Sequence, residues 1–234
     1  MISDPQILNF IARTEAAYPA EANGASAADN RRFYDAMCAV FRGPRPPGLP
    51  VEDRHLGGVP CRIYGADTPV VVIYIHGGGF VVGGLDSHDD VCAEIADATS
   101  LRVVAVDYRL APEHRWPAQI RDVEAVWQAL DKPAVVVGDS AGGMLSASLC
   151  QSLQGRRQPL GQVLIYPGLG GDRSAPSYTE NAEAPMLRTV DLDSYKVALH
   201  GAGPITDPLA QPLRTPDLSG LAPAFIVSAD VDPL

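Results

Sequence analysis

Ser140 stands at the centre of Gly138-Asp139-Ser140-Ala141-Gly142, a setting in which a serine hydroxyl can act as a nucleophile. Such a hydroxyl attacks a carbonyl only when it projects toward a ligand and has groups nearby to take its proton and hold the developing negative charge. A Gly-x-Ser-x-Gly run supplies the projection when a buried strand precedes it and a helix follows. The turn is then so tight that the positions two before and two after the serine must be small. Ala134-Val135-Val136-Val137 reads as the strand, Ala141 onward as the helix, and Gly138 and Gly142 as the small residues. A plain strand-to-helix turn with a capping serine would use the same letters. The rest of the chain has to decide between the two.

His76-Gly77-Gly78-Gly79 follows the apolar run Val70 to Ile75. Consecutive glycines let the backbone approach a ligand closely and turn several amide hydrogens toward one point, the requirement for an oxyanion hole that the amide of Ala141 would complete. A phosphate loop is the competing reading, but neither Gly-Lys-Ser nor a helix-opening Gly-x-Gly-x-x-Gly is present. Nothing in the sequence has metal-ligand spacing, so no metal and no organic cofactor is expected.

These motifs need a scaffold that places strand ends side by side. Short apolar runs at Pro60 to Tyr64, Val70 to Ile75, Arg102 to Val106, Ala134 to Val137, Gln162 to Tyr166 and Ala224 to Ser228 read as strands. Helix-length stretches lie between them: Asp90 to Ala98, Ala118 to Leu130, and Ala141 to Leu153 with Gly155 as its C-cap. This alternation predicts an α/β domain with a mostly parallel sheet and helices on both faces, whose ligands sit beyond the carboxyl ends of the strands. Residues 1–45 read as amphipathic helices closed by Gly43-Pro44-Arg45-Pro46-Pro47-Gly48, and 46–234 as the core. Residues 167–210 break the alternation, with a helical piece near Asp191 to Leu199, and are expected to roof the site together with the N-terminal helices.

The motifs together resemble the hormone-sensitive-lipase-like esterases, the bacterial family IV carboxylesterases of the α/β-hydrolase fold. The matching residues are His76 to Phe80, Asp107-Tyr108-Arg109-Leu110-Ala111-Pro112-Glu113-His114, Gly138 to Gly143, and Ser219 to Ala224 leading into Asp232-Pro233-Leu234. The resemblance implies a serine hydrolase that cleaves short-chain carboxylic esters through an acyl-enzyme. Ser140 would be the nucleophile, Asp232 the triad acid, and the amides of Gly78, Gly79 and Ala141 the oxyanion hole. Asp230 and Asp232 both lie just after the last strand; the family pattern selects Asp232. Asp107 to His114 is expected to be scaffold, with Arg109 paired to Asp107 or Glu113, and His76 to fix its loop.

Along the chain, this fold places the histidine base after the acid, yet no histidine follows Asp232 in the sequence. The expectation is therefore that the natural chain continues beyond Leu234, where the base and a further strand and helix would lie. Of the histidines present, His55, His76, His88 and His114 fall in framework positions, and His200 in the roof is the least implausible substitute, but none is taken as the base. A ligand-binding protein on the same fold, as in plant gibberellin receptors, is the alternative from another class; an amidase or acyltransferase is a third.

Composition narrows the partners. With 18 Lys and Arg against 28 Asp and Glu the net charge is −10, which disfavours a nucleic-acid groove. No apolar run approaches the ~20 residues of a membrane span. No secretory signal is read at the N-terminus, and the four cysteines are scattered without metal or redox spacing. A soluble cytoplasmic protein acting on a small ester is the expectation, with no signal of oligomeric state.

Overall fold

The computed structural model describes residues 2–19, 22 and 24–234. Two helices, α1 (Pro5–Ala17) and α2 (Ala27–Phe41), precede the sheet. The sheet strands are β1 (Val51–Leu56), β2 (Val59–Tyr64), β3 (Val71–Ile75), β4 (Arg102–Val106), β5 (Ala134–Asp139), β6 (Gly161–Ile165) and β7 (Ala224–Val227). Helix α3 (Asp89–Thr99) links β3 to β4, α4 (Ala118–Ala129) links β4 to β5, and α5 (Ala141–Ser152) links β5 to β6. The segment between β6 and β7 holds α6 (Ser177–Glu180), α7 (Thr189–His200) and two single 3-10 turns.

The strand order is β1-β2-β4-β3-β5-β6-β7. β1 and β2, and β2 and β4, run antiparallel; from β4 to β7 every pairing is parallel. β3 shows how one strand serves two cores. Val71, Ile73 and Ile75 face α4 and α5 among Val123, Trp127, Leu145 and Leu149. Val72 and Tyr74 point the other way, to Cys92, Ala93 and Ala96 of α3. This is the period-two alternation of a strand buried on both faces, which leaves an unbroken apolar run in the sequence.

β1 has no counterpart among the strands expected from sequence. Its run Val-Glu-Asp-Arg-His-Leu has apolar residues only at its ends, and its centre is exposed. What fixes it is the two-residue turn Gly57-Gly58, with φ of 58° and 84°, which joins Leu56 to its partner Val59. Positive φ at both turn positions matches the twist of a tight hairpin.

Two further expectations are corrected. α5 ends at Ser152 with Leu153 as its cap in ordinary right-handed backbone; Gly155, at φ 75°, turns the chain two residues later and is not the cap. Arg109 pairs with Asp122 on α4, at 2.7 Å, because β4's outgoing loop lies along that helix. Glu113 instead meets Arg31 of α2.

Candidate active site

Backbone sterics force Ser140 out of its strand. It adopts φ 50° and ψ −115° between β5 and α5, a conformation that side-chain-bearing residues avoid and that surrounding packing must hold in place. Its amide donates to the Ile165 carbonyl at 2.8 Å, tying the turn to the end of β6. A Cβ on Gly142 would run into the Ile75 and His76 carbonyls, and one on Gly138 into the Gly142 carbonyl. The two glycines therefore lie where the turn presses against the end of β3 and against itself.

The glycine run after β3 lies beside this turn. Gly78 and Gly79 have φ of 111° and 58°, closed to ordinary side chains. The Gly78 carbonyl accepts from the amides of Val81 and Val82 at 3.0 Å each. The amides of Gly78, Gly79 and Ala141 engage no acceptor among the described residues. A Cβ on Gly79 would collide with the Tyr195 ring of α7.

Asp139 couples the two loops. Its Oδ1 accepts from the Tyr74 hydroxyl at 2.9 Å and from the Gly77 amide at 3.0 Å, and His88 Nε2 stands 3.5 Å away. Burial would push this carboxyl up, but the His88 hydrogen bond and charge, with Tyr74, outweigh it and hold the group below the usual carboxylate range. The sequence reading passed over Asp139, which occupies a free position of its motif. The available signal was an acid inside an apolar turn, a placement that needs partners.

His76 is buried and stacked on Tyr108, with ring centroids 4.3 Å apart. Burial, and then the neighbouring His88, bring its pKa down to about 4, so it is neutral near pH 7. Its Nδ1 lies 2.7 Å from the Gly77 carbonyl, and its own carbonyl accepts from the Tyr108 hydroxyl at 2.8 Å. These contacts are those of a residue that fixes its loop.

Ser140, Ala141 and Gly79 line one cavity of about 220 Å³. Phe80, Met144, Leu187, Leu192 and Leu199 give it apolar walls. Gly78 stands behind Gly79, outside the lining. On the α7 side, Val81, Val82 and Leu199 form a small core with Tyr34 of α2 and Tyr195 packed against it. Arg31 of α2 donates through Nε to the Val81 carbonyl and through Nη2 to that of Ala111, each at 2.8 Å. Helices α2 and α7 thus both rest on the glycine loop.

Asp232 follows β7. Its Oδ1 accepts from the Leu234 amide at 2.8 Å and its carbonyl from Asn181 at 3.0 Å, while burial pushes its carboxyl up. Among the described residues no histidine hydrogen-bonds to Ser140 or Asp232. His200 lines the same cavity as Ser140, its ring 6.0 Å from that of Trp116. Burial, reinforced by Lys196, lowers its pKa.

Comparisons with known proteins bear on the family and the fold. Residues 72–234 match a family described as alpha/beta hydrolase fold. Carboxylesterase NlhH of Mycobacterium tuberculosis is 39% identical over an alignment of 213 residues that covers 80% of this chain and 67% of that protein. Ethyl acetate hydrolase of Pseudomonas putida is 32% identical over 231 residues, covering 87% of this chain and 72% of that one. Among solved structures, an esterase from the bacterial hormone-sensitive lipase family superposes with a TM-score of 0.89 at 30% identity, covering 100% of this chain and 81% of that one.

Proposed function

Since this chain belongs to the α/β-hydrolase family and, within it, to the carboxylesterases related to hormone-sensitive lipase, we propose that it hydrolyses short-chain esters through an acyl-enzyme on Ser140. The observation that carries the reading is the strained Ser140 backbone, held at the mouth of a cavity that Gly79 and Ala141 also line. Strain of this kind persists only where surrounding structure enforces it, which favours turnover over a binding site that merely reuses the pocket.

In the proposed reaction the Ser140 Oγ attacks the ester carbonyl. The amides of Gly78, Gly79 and Ala141 receive the oxyanion, the alcohol leaves with a proton, and water then releases the acid. In the family this chain resembles, a histidine oriented by the triad acid takes the serine proton and passes it to the leaving alcohol, and Asp232 stands in the position of that acid. A cavity of about 220 Å³ supports acyl groups of modest length. The unpaired thiols of Cys38, Cys61, Cys92 and Cys150 support a reducing, cytoplasmic setting. No described helix is long and apolar enough to cross a membrane.

A p-nitrophenyl ester series from acetate to laurate tests the reading. Rates should peak at the short end, and Ser140→Ala should lower kcat by roughly 10³-fold or more. Failure to hydrolyse any ester, or an unchanged rate in Ser140→Ala, would refute it.

A further inference from the structure

Among the described residues that line the cavity at Ser140 the formal charges are of one sign, with Asp172 near Arg214 just outside that lining. The protein has 28 acidic side chains and 18 Lys and Arg, yet the charged side chains among the described lining residues are Arg173, Lys196 and Arg214, with no Asp or Glu. Arg173 is compensated by Asp193 at 2.9 Å and lies over the Tyr178 ring. Lys196 and Arg214 have no carboxylate within ion-pair distance among the described residues. Burial, and then Lys196, lower the pKa of His200 in the same lining.

α7 explains how a cation comes to face the cavity. Leu192, Tyr195, Lys196 and Leu199 recur at three- and four-residue spacing, so they share one helical face, and all four line the cavity. Lys196 thus has apolar neighbours on that face and is itself exposed to solvent, as is Arg214. Arg214 stands in the 3-10 turn Pro212–Arg214, on a separate element. A cleft with low-dielectric walls and charges of one sign concentrates ligands of the other sign. A neutral ester gains nothing from that field.

We propose that the ester taken by this site carries a carboxylate at the far end of an apolar chain, received by Lys196 and Arg214. The inference deepens the ester-hydrolase reading and rests on it. The carboxylate belongs to either the acyl or the alcohol half, and matched substrates separate the two: monoethyl adipate against ethyl hexanoate, and 4-acetoxybutanoate against butyl acetate.

In at least one pair kcat/KM should favour the anion by roughly tenfold or more, and that preference should shrink as salt is added. Lys196→Glu and Arg214→Glu should each reduce the ratio, while Lys196→Arg keeps it. Calorimetry with adipate and hexanoate reads the same preference without turnover, and adipate should bind more tightly. Should no ester be hydrolysed while adipate still binds more tightly, the hydrolytic reading fails and the anion site stands. Equal rates within both pairs, a preference that survives both charge reversals, or adipate binding no tighter than hexanoate overturns the proposal.

Discussion

Replacing Asp139 separates two things this side chain does: it accepts hydrogen bonds from Tyr74 and Gly77, and it faces His88 with a negative charge. Asp139→Asn keeps an acceptor oxygen and removes the charge. Asp139→Ala removes both and leaves the Gly77 amide, at the root of the glycine loop, without its partner. Misplacing oxyanion donors costs on the order of 10²-fold in kcat, so Asp139→Ala should fall by about that much with KM changed far less, and Asp139→Asn should fall between it and wild type. The carboxyl is held below its ordinary range in the folded protein. The stability it contributes is thus complete above the unfolded carboxylate pKa and is lost as pH falls through the folded value. Thermal melts of Asp139→Asn against pH should show this acid limb flattened. A wild-type kcat in Asp139→Ala would contradict the coupling. None of this was legible in the sequence, because Tyr74, Gly77 and His88 are far from Asp139 along the chain and converge only once β3 and β5 pair. Ser140, Gly138 and Gly142 were legible, because the turn's sterics are local.

At the scale of elements, the apolar runs announced β2 through β7, in β3, β4 and β5 because strands covered on both faces have no polar side to interrupt them. β1 escaped notice for the opposite reason: a charged edge strand is specified by its hairpin turn and not by its composition. The pairing of Arg109 also depended on tertiary placement, since the sequence offers Asp107 and Glu113 nearby and only α4's position brings in Asp122. α2 was legible as an amphipathic helix, but its attachment through Arg31 to the Val81 and Ala111 carbonyls was not. Arg31→Ala removes two charge-assisted hydrogen bonds and the Glu113 pair, a loss of roughly 1–3 kcal/mol. The variant should melt at lower temperature, be cut by protease within α2 sooner than wild type, and show KM raised more than kcat is lowered. Unchanged proteolysis would mean that α2 is held by other contacts.

For the molecule as a whole, the mostly parallel sheet and the clustering of motifs at the carboxyl ends of β3 and β5 followed from the strand-helix alternation and from the rule for ligand placement in open α/β sheets, whereas the strand order did not. The net charge of −10 keeps the molecules apart, so added salt, by screening that charge, should lower the soluble, non-aggregated fraction in sedimentation velocity. No change with salt would show that charge is not what separates them.

Covalent capture probes Ser140 as the proposed nucleophile. After incubation with an alkyl fluorophosphonate, intact-mass and peptide analysis should find a single phosphonyl adduct, located on Ser140 and absent from Ser140→Ala. Absence of any adduct from the wild-type protein, or an adduct that persists in Ser140→Ala, would contradict it.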